Sequence, residues 1–291
     1  MVMTKNSIKI ATWNCFGTPQ SIEDFFASKP FWPERLVAGA VFETLRQYDI
    51  VCVQENFVEG VRAALLQIQR EAEFSELWLD PLGYNAEDKT LTGSGLAILS
   101  RFPMEVYFEK LAPGGGPDGL ARKGFARARL RLPGGRELFV HNTHLQADDF
   151  RVGDAECRRI RRLQLEGLVR SVLEAMSLGI PSILCGDLNV PAGTDEYDEI
   201  ASLLAPTHED PIDTKVVTYD TVNNDMTRAF HCGGPEQGRL DYIWVDRAVE
   251  SDEPHLFLKE PLENIPSRPL DYSGRVFASD HFGLGLTLRL R

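Results

Sequence analysis

Several short segments of this 291-residue chain place acids, amides or imidazoles at the edges of apolar, strand-like runs. They are Trp13-Asn14, Gln54-Glu55, Asn142-Thr143-His144, Asp187-Leu188-Asn189, Asp241-Tyr242 and Asp280-His281. Asp187 and Asn189 lie two apart, so on an extended backbone their side chains share one side. Singly, each segment has a plain structural explanation. Asn14 can cap a turn, Glu55 can begin a helix, and His144 can be a hydrogen-bonded core histidine. Together they carry more. Two of the 6 histidines, His144 and His281, occupy these strand ends. Every segment offers an oxygen or nitrogen ligand or a proton carrier, and none offers a thiol. Such a set suits a hard cation, Mg²⁺ with Mn²⁺ or Ca²⁺ as alternatives, rather than structural zinc. The chemistry it points to is metal-assisted hydrolysis, with an imidazole near neutral pKa taking a proton from water.

The elements that must position these groups alternate between strands and helices. Ile8–Cys15 and Asp49–Gln54 read as strands. Pro33–Gln47 between them reads as a helix with an apolar face of Leu36, Val37, Ala40, Val41 and Leu45. A second helix is predicted from Glu59 to about Leu77. Gly95–Ser100, Met104–Lys110, Lys123–Leu132 and Glu137–Leu145 read as strands, and Pro133-Gly134-Gly135 turns the last two into an antiparallel hairpin. Asp154–Leu178 is the longest predicted helix and feeds a strand at Ile180–Gly186. Arg239–Asp246 and Phe282–Leu290 are the final strands. Pro113–Leu120, Thr207–Gly238 and Pro254–Ala278 read as irregular, the last two being long enough to shape a cleft. Helices between strands, combined with hairpins, predict two mixed sheets with helices outside them.

Composition bounds the function. No Pro/Gly/Ser-rich linker or repeat divides residues 1–291, so one domain is expected. A net charge of −12 speaks against non-specific binding to long nucleic acid, although a local basic cleft remains compatible with it. The 5 cysteines form no spaced cluster, and Cys15, Cys52 and Cys185 fall in apolar runs and read as buried thiols. With no long apolar run near the first residues, a reducing, cytoplasmic setting is expected. No run of about 18 apolar residues predicts a transmembrane helix.

The segments TWN (12–14), QE (54–55), GSGLAILSR (93–101), NTH (142–144), GDLN (186–189), LDYIWV (240–245) and SDH (279–281) together resemble the endonuclease/exonuclease/phosphatase superfamily of DNase I-like phosphoesterases. The resemblance runs in family order over essentially the whole chain. It implies a four-layer α/β sandwich: two mixed β-sheets packed face to face, with helices outside. It also implies roles. Glu55 would be the principal metal carboxylate, with Asn14 and Asp280 supporting that metal environment. Asp187 and Asn189 would orient the attacking water and the phosphate oxygens. His281 would be the general base, Asp241 the carboxylate that fixes its tautomer, and His144 a phosphate contact. Water would attack directly, with no covalent enzyme intermediate.

Within the superfamily, several segments resemble the neutral and bacterial sphingomyelinase branch. Asn142–Ala147 resembles its histidine strand. Ala121-Arg122-Lys123-Gly124-Phe125 resembles a segment that would bring Lys123 to the substrate head group. Arg161-x-x-Gln164-Leu165 resembles its following helix, with Arg161 a second candidate substrate contact. Thr218-Tyr219-Asp220 with Asn223 or Asn224 resembles a segment before the Leu240-Asp241-Tyr242 strand. The implied activity is sphingomyelinase-like phosphodiester hydrolysis, on a phospholipid head group with peripheral membrane contact. The alternatives are a DNA endonuclease or exonuclease, with nucleic acid as the partner, and an inositol-type or other small-molecule phosphatase. Arg158–Arg162 offers a basic patch that could meet phosphate or simply balance nearby acids. Phe25, Phe26, Phe31, Trp32, Phe257 and Tyr272 are candidate membrane-facing aromatics that could equally be core residues. Oligomeric state is open.

Overall fold

The computed structural model describes residues 7–18, 33–231, 236–265 and 272–290. Two mixed sheets face each other. In the first, β1 (Ile8–Gly17) pairs in parallel with β2 (Ile50–Asn56) and antiparallel with β15 (Gly283–Leu290). Its flanks are β3 (Glu76–Leu79) and β4 (Ala97–Ser100) on one side, β13 (Val249–Ser251) and β14 (His255–Phe257) on the other. In the second, β5 (Met104–Lys110), β6 (Gly124–Arg131), β7 (Glu137–His144), β8 (Ser182–Asp187), β12 (Asp241–Asp246) and β9 (His208–Glu209) lie side by side in that order, with β7 and β8 parallel. A separate ribbon joins β10 (Tyr219–Asp220) to β11 (Gln237–Gly238).

Alternation along each strand explains the layers. On β1, Ile8 and Ile10 enter the core between the sheets, while Ala11, Trp13 and Cys15 face helices α1 (Pro33–Leu36), α2 (Gly39–Leu45) and α3 (Glu59–Glu71). On β12, Ile243 and Val245 face the first sheet, while Tyr242 and Trp244 face α4 (Asp154–Ser177) and α5 (Asp195–Leu204). Both faces of the central strands are therefore buried, which is why these strands read as nearly continuous apolar runs. The result is the four-layer sandwich that the resemblance implied.

The same period of two places the chemistry. Asn14, Gln54, Asn142, His144, Asp187 and Asp241 each share strand parity with residues of the inter-sheet core, such as Ile10, Cys52, Val140, Ile183 and Ile243. At one end of the sandwich, polar side chains thus replace apolar ones on the inner face. Two of them lock the sheets together. Asn142 donates from Nδ2 to the carbonyls of Val53 (3.0 Å) and Ala97 (2.9 Å), and its Oδ1 accepts from Gln54 Nε2 at 2.7 Å. Every polar atom of this buried amide is thereby satisfied, so it fixes how the sheets align.

Four expected element descriptions change. The Pro33–Gln47 helix is two pieces, interrupted at Val37-Ala38, where Ala38 is extended (ψ 142°). The Glu59–Leu77 helix stops at Glu71, because Glu73 turns left-handed (φ 61°) and Leu77 and Trp78 join edge strand β3. Thr207–Gly238 holds β9, β10, α6 (Asp225–Phe230) and β11, and Pro254–Ala278 holds β14. Short strands surrounded by turn residues leave little periodicity to read. The predicted hairpin turn is present, with Gly134 and Gly135 at φ 81° and 77°.

Cys15, Cys52 and Cys185 are buried free thiols, as is Cys157; Cys232 lies outside the described residues. Phe257 and Tyr272 are core residues, 7% and 8% exposed, so their aromatic surface is spent on packing. Phe25, Phe26, Phe31 and Trp32 lie outside the described residues. No helix among the described residues is long and apolar enough to cross a membrane.

Candidate active site

The site lies at the carboxyl ends of the two parallel strand pairs, a location that α/β folds favour for ligands. Register does the assembly. Asn14 pairs with Gln54 across β1 and β2, His144 pairs with Asp187 across β7 and β8, and Asp187 pairs with Asp241 across β8 and β12. Asp280 and His281 arrive on the turn before β15, held by a β-bridge from Tyr219 to His281. Asn224 steadies that turn. Its Oδ1 caps α6 by accepting from Met226 and Thr227 amides, and its Nδ2 donates to the Ser279 carbonyl at 2.9 Å. Asn223 instead donates to Asp220 (2.7 Å).

Backbone strain aims two residues where strand alternation would not. On a regular strand Glu55 would follow Val51 and Val53 toward the helices. Its left-handed φ of 63° breaks the alternation, and its carboxylate Oε1 accepts from Asn14 Nδ2 at 2.9 Å. Asn189, at φ 54°, sits beyond the end of β8 in a turn, where its backbone N–H donates to Asp187 Oδ1 at 2.8 Å. The turn, rather than an extended backbone, brings Asp187 and Asn189 together. Phe16, Glu55 and Asn189 are three of the seven non-glycine residues with positive φ among the described residues, and all three line one cleft. Such strain persists where surrounding packing over-determines it. Gly186, just before Asp187, has φ 139°, and a Cβ there would fall 2.0 Å from the Thr143 carbonyl oxygen. Glycine alone allows β7 and β8 to approach this closely.

The cleft is about 240 Å³ and is lined by Glu55, His144, Asp187, Asn189, Asp280 and His281, with Phe16, Phe57, Tyr219 and Phe230 as its aromatic walls. Asp118 and Asp148 also line it, and no Lys or Arg among the described residues does. Asn14 lies just behind, donating from Nδ2 to both Glu55 and Asp187 (3.0 Å to Asp187). Asp241, fully buried, accepts from His281 Nδ1 at 2.8 Å. The far nitrogen, His281 Nε2, is 3.8 Å from Asp187 Oδ2. Ligand atoms of Asp187, Asp241 and His281 all lie within 4.8 Å of one another, a spacing that could hold a divalent ion, but one atom each of Asp241 and His281 is already taken by their mutual hydrogen bond.

The electrostatics favour a bound cation or retained protons. Burial, reinforced by the Asp280 charge, pushes the Glu55 carboxyl up to about 8. Burial and the neighbouring Asp241 push Asp187 up to about 6, and burial raises Asp280. One Glu55 oxygen, Oε2, and one Asp241 oxygen, Oδ1, are buried without a hydrogen-bond partner. Unpaired buried carboxylate oxygens are costly unless an ion or a donor meets them. Burial works to lower His281, but Asp241, Asp187 and Asp280 hold it well above the usual histidine range. Burial and the Lys123 charge keep His144 neutral.

Lys123 and Arg161 do not line the cleft. Lys123 is 3% exposed, its ammonium 2.9 Å from Asp118 and 3.0 Å from the Leu145 carbonyl. Arg161, also 3% exposed, holds Asp148 at 2.7 Å and Glu196 at 2.7 Å. Each cation therefore fixes an acid that does line the cleft. The remaining arginines of the 158–162 patch are matched with acids: Arg158 with Glu196, Arg159 with Glu156, and Arg162 with Glu166. They border a separate groove between α4 and α5. Asp118, Asp148, Phe16 and Phe230 gave no sequence signal, because they lie on irregular segments or at element ends.

The ion-free protein carries a testable signature. Glu55 and Asp187 bind protons more tightly folded than unfolded, so between about pH 4.5 and 8 the folded state holds more protons, and the stability these groups contribute falls as pH rises. The Tm of the chelator-treated protein is expected to drop over this range more steeply than that of Glu55→Gln. Identical slopes in the two proteins would contradict the assignment.

Comparison with known proteins agrees with this geometry. The model for the Endonuclease/Exonuclease/phosphatase family matches residues 11–281. A sphingomyelinase C from Listeria ivanovii is 28% identical over 267 residues, covering 85% of this chain and 76% of that protein. A beta toxin from Staphylococcus aureus, solved with bound magnesium ions, superposes with a TM-score of 0.76 at 19% identity, covering 98% of this chain and 100% of that one. TDP2 from C. elegans superposes with a TM-score of 0.67 at 19% identity, covering 97% of this chain and 75% of that one. The last two share the fold, which alone does not choose a substrate. A family match that begins inside β1 and ends on His281 spans every strand end of the cleft, and the chain belongs to the Endonuclease/Exonuclease/phosphatase family, with the acid and histidine cluster of a metal-dependent phosphoesterase.

Proposed function

We propose that the protein is a Mg²⁺-dependent phosphodiesterase that releases phosphocholine from a lipid such as sphingomyelin. The observation that carries this reading is the cleft lining: four aromatic rings and the acids Asp118 and Asp148, with no Lys or Arg among the described residues. A quaternary ammonium head group suits aromatic faces and carboxylates. A nucleic-acid backbone calls for basic side chains along its path. Similarity to the Listeria ivanovii sphingomyelinase C supports the lipid substrate, and the magnesium bound in the Staphylococcus aureus beta toxin supports the ion.

The residues present fit such an ion, since Glu55 has an unpartnered buried oxygen and shares its surroundings with Asn14 and Asp280. When bound, a divalent ion would offset the charge of the phosphate oxygens and of the leaving group. Asn14 holds Glu55 and Asp187 in place. Asp187 and Asn189 position the attacking water. His281 takes its proton through Nε2, because Asp241 on Nδ1 fixes the other ring nitrogen as the donor. Neutral His144 faces the phosphate and donates a hydrogen bond to its developing charge. Lys123 and Arg161 act one step back, by holding Asp118 and Asp148 at the head-group end.

Asp241→Asn is expected to keep ion binding but slow turnover by roughly 10²–10⁴-fold, since an amide cannot enforce that tautomer. Ion binding measured by calorimetry alongside turnover checks it; an unchanged rate would remove Asp241 from the mechanism. The head-group reading is tested by comparing sphingomyelin with its phosphoethanolamine analogue, which lacks the three methyl groups. A several-fold lower kcat/KM for the analogue is expected, and equal values would overturn recognition by the aromatic walls.

A further inference from the structure

Arg35 is a fully buried arginine outside every candidate site segment named above. It lies on α1, a helix of four residues that has too few internal hydrogen bonds to hold its own shape. Its guanidinium reaches across the helical layer into the end of the first sheet. Nη1 donates to the Ala278 carbonyl and Nη2 donates to the Phe16 carbonyl. The two acceptors belong to two different parts of the site. Phe16 follows Asn14 by two residues, has a left-handed φ of 49°, and lines the cleft. Ala278 immediately precedes Ser279, Asp280 and His281. The guanidinium carbon also lies 5.8 Å from the centre of the Phe16 ring. A second tie joins the same segments, from Ser279 Oγ to the Asn14 carbonyl at 2.6 Å.

We propose that Arg35 is a positioning residue: it clips the segment after Asn14 to the segment before Asp280, and so sets the spacing between the Asn14–Glu55 group and the Asp280–His281 pair. The inference rests on the phosphodiesterase reading, because its consequence is read in turnover. A planar fork suits two carbonyls on separate segments. A lysine ammonium keeps the charge but presents a single point of attachment on a flexible stem. Phe16, held with its backbone left-handed, is the residue whose strain the clip would sustain. Small misplacements of catalytic groups are costly, so loss of the clip reads out in the chemical step.

The test is Arg35→Lys against the parent, on a phosphodiester that the parent hydrolyses with a divalent ion. A fall in kcat of about 10- to 100-fold is expected, with KM changed less than threefold. Hydrogen exchange supplies a readout independent of turnover. Amides around Phe16–Gly17 and Ser279–His281 are expected to exchange faster, while β7 and β8 remain as protected as in the parent. Arg35→Gln, which introduces no buried charge, answers the same question if the lysine variant does not fold. Parental kcat and exchange in the folded variant would overturn the proposal. So would faster exchange spread evenly over both sheets, which would make Arg35 a general stabilising residue. If the parent itself hydrolyses no phosphodiester, the phosphodiesterase reading fails, whatever local exchange shows.

Discussion

Glu55→Gln is expected to lower turnover by about 10³-fold or more, while leaving the fold intact and raising the thermal stability of the ion-free protein at neutral pH. Both halves follow from one group. Glu55 carries one of the two unpartnered buried carboxylate oxygens of the site, and its side chain is 15% exposed. A glutamine keeps its shape but loses the charge that would hold a divalent ion. The stabilisation of transition-state charge supplied by such an ion is several kcal/mol, and about 1.4 kcal/mol is a tenfold change in rate. The stability gain follows because the carboxylate, pushed up to about 8 by burial and by Asp280, is costly to ionise in the folded state. Activity assays and thermal unfolding, each with and without Mg²⁺, check the prediction. A variant that is as active as the parent, or that keeps the parent's Tm response to Mg²⁺, would show that Glu55 is not the ion's carboxylate.

His281→Ala is the second large effect, an expected loss of roughly 10²–10⁴-fold in kcat. Its imidazole is wedged between Asp241 on Nδ1 and Asp187 near Nε2. Those carboxylates, with Asp280, hold its pKa well above the usual range despite burial. A base works only once it has lost its proton, so the parent's rate should climb with pH along an acidic limb. The His281 titration itself, followed by NMR, should move to lower pH when a divalent ion is added, because the ion offsets the carboxylate charge. His281→Ala should lose the limb together with the rate. A variant whose residual rate keeps the parent's acidic limb would assign that ionisation elsewhere.

Much of this site was legible because strand alternation does two jobs at once. The parity that sends Ile10, Cys52, Ile183 and Ile243 into the inter-sheet core also sends Asn14, Gln54, Asp187 and Asp241 to one end of it. A run of apolar residues that ends in an acid or amide is therefore a readable sign. Other features obey other rules. Glu55 and Asn189 were named from their segments, but their aim comes from left-handed backbone, and no periodicity announces a positive φ at a non-glycine residue. Lys123 and Arg161 have the charge expected of phosphate ligands. Whether such a charge meets substrate or a neighbouring acid depends on loops that only the folded chain brings together. Arg35 is hidden for the same reason, since both its partners are backbone carbonyls far away in sequence. The helix predicted to run to Leu77 failed where Leu77 and Trp78 found a strand partner in β4, a tertiary contact that overrode local preference.

The most direct test of the account is phosphocholine release from sphingomyelin vesicles, with Mg²⁺ or with chelator, measured beside cleavage of supercoiled and abasic DNA. The account predicts release that requires Mg²⁺, vanishes in Glu55→Gln, and is not accompanied by DNA cleavage. Mg²⁺-dependent DNA cleavage with no phosphocholine release would contradict it, placing the same carboxylates and histidines in a nuclease.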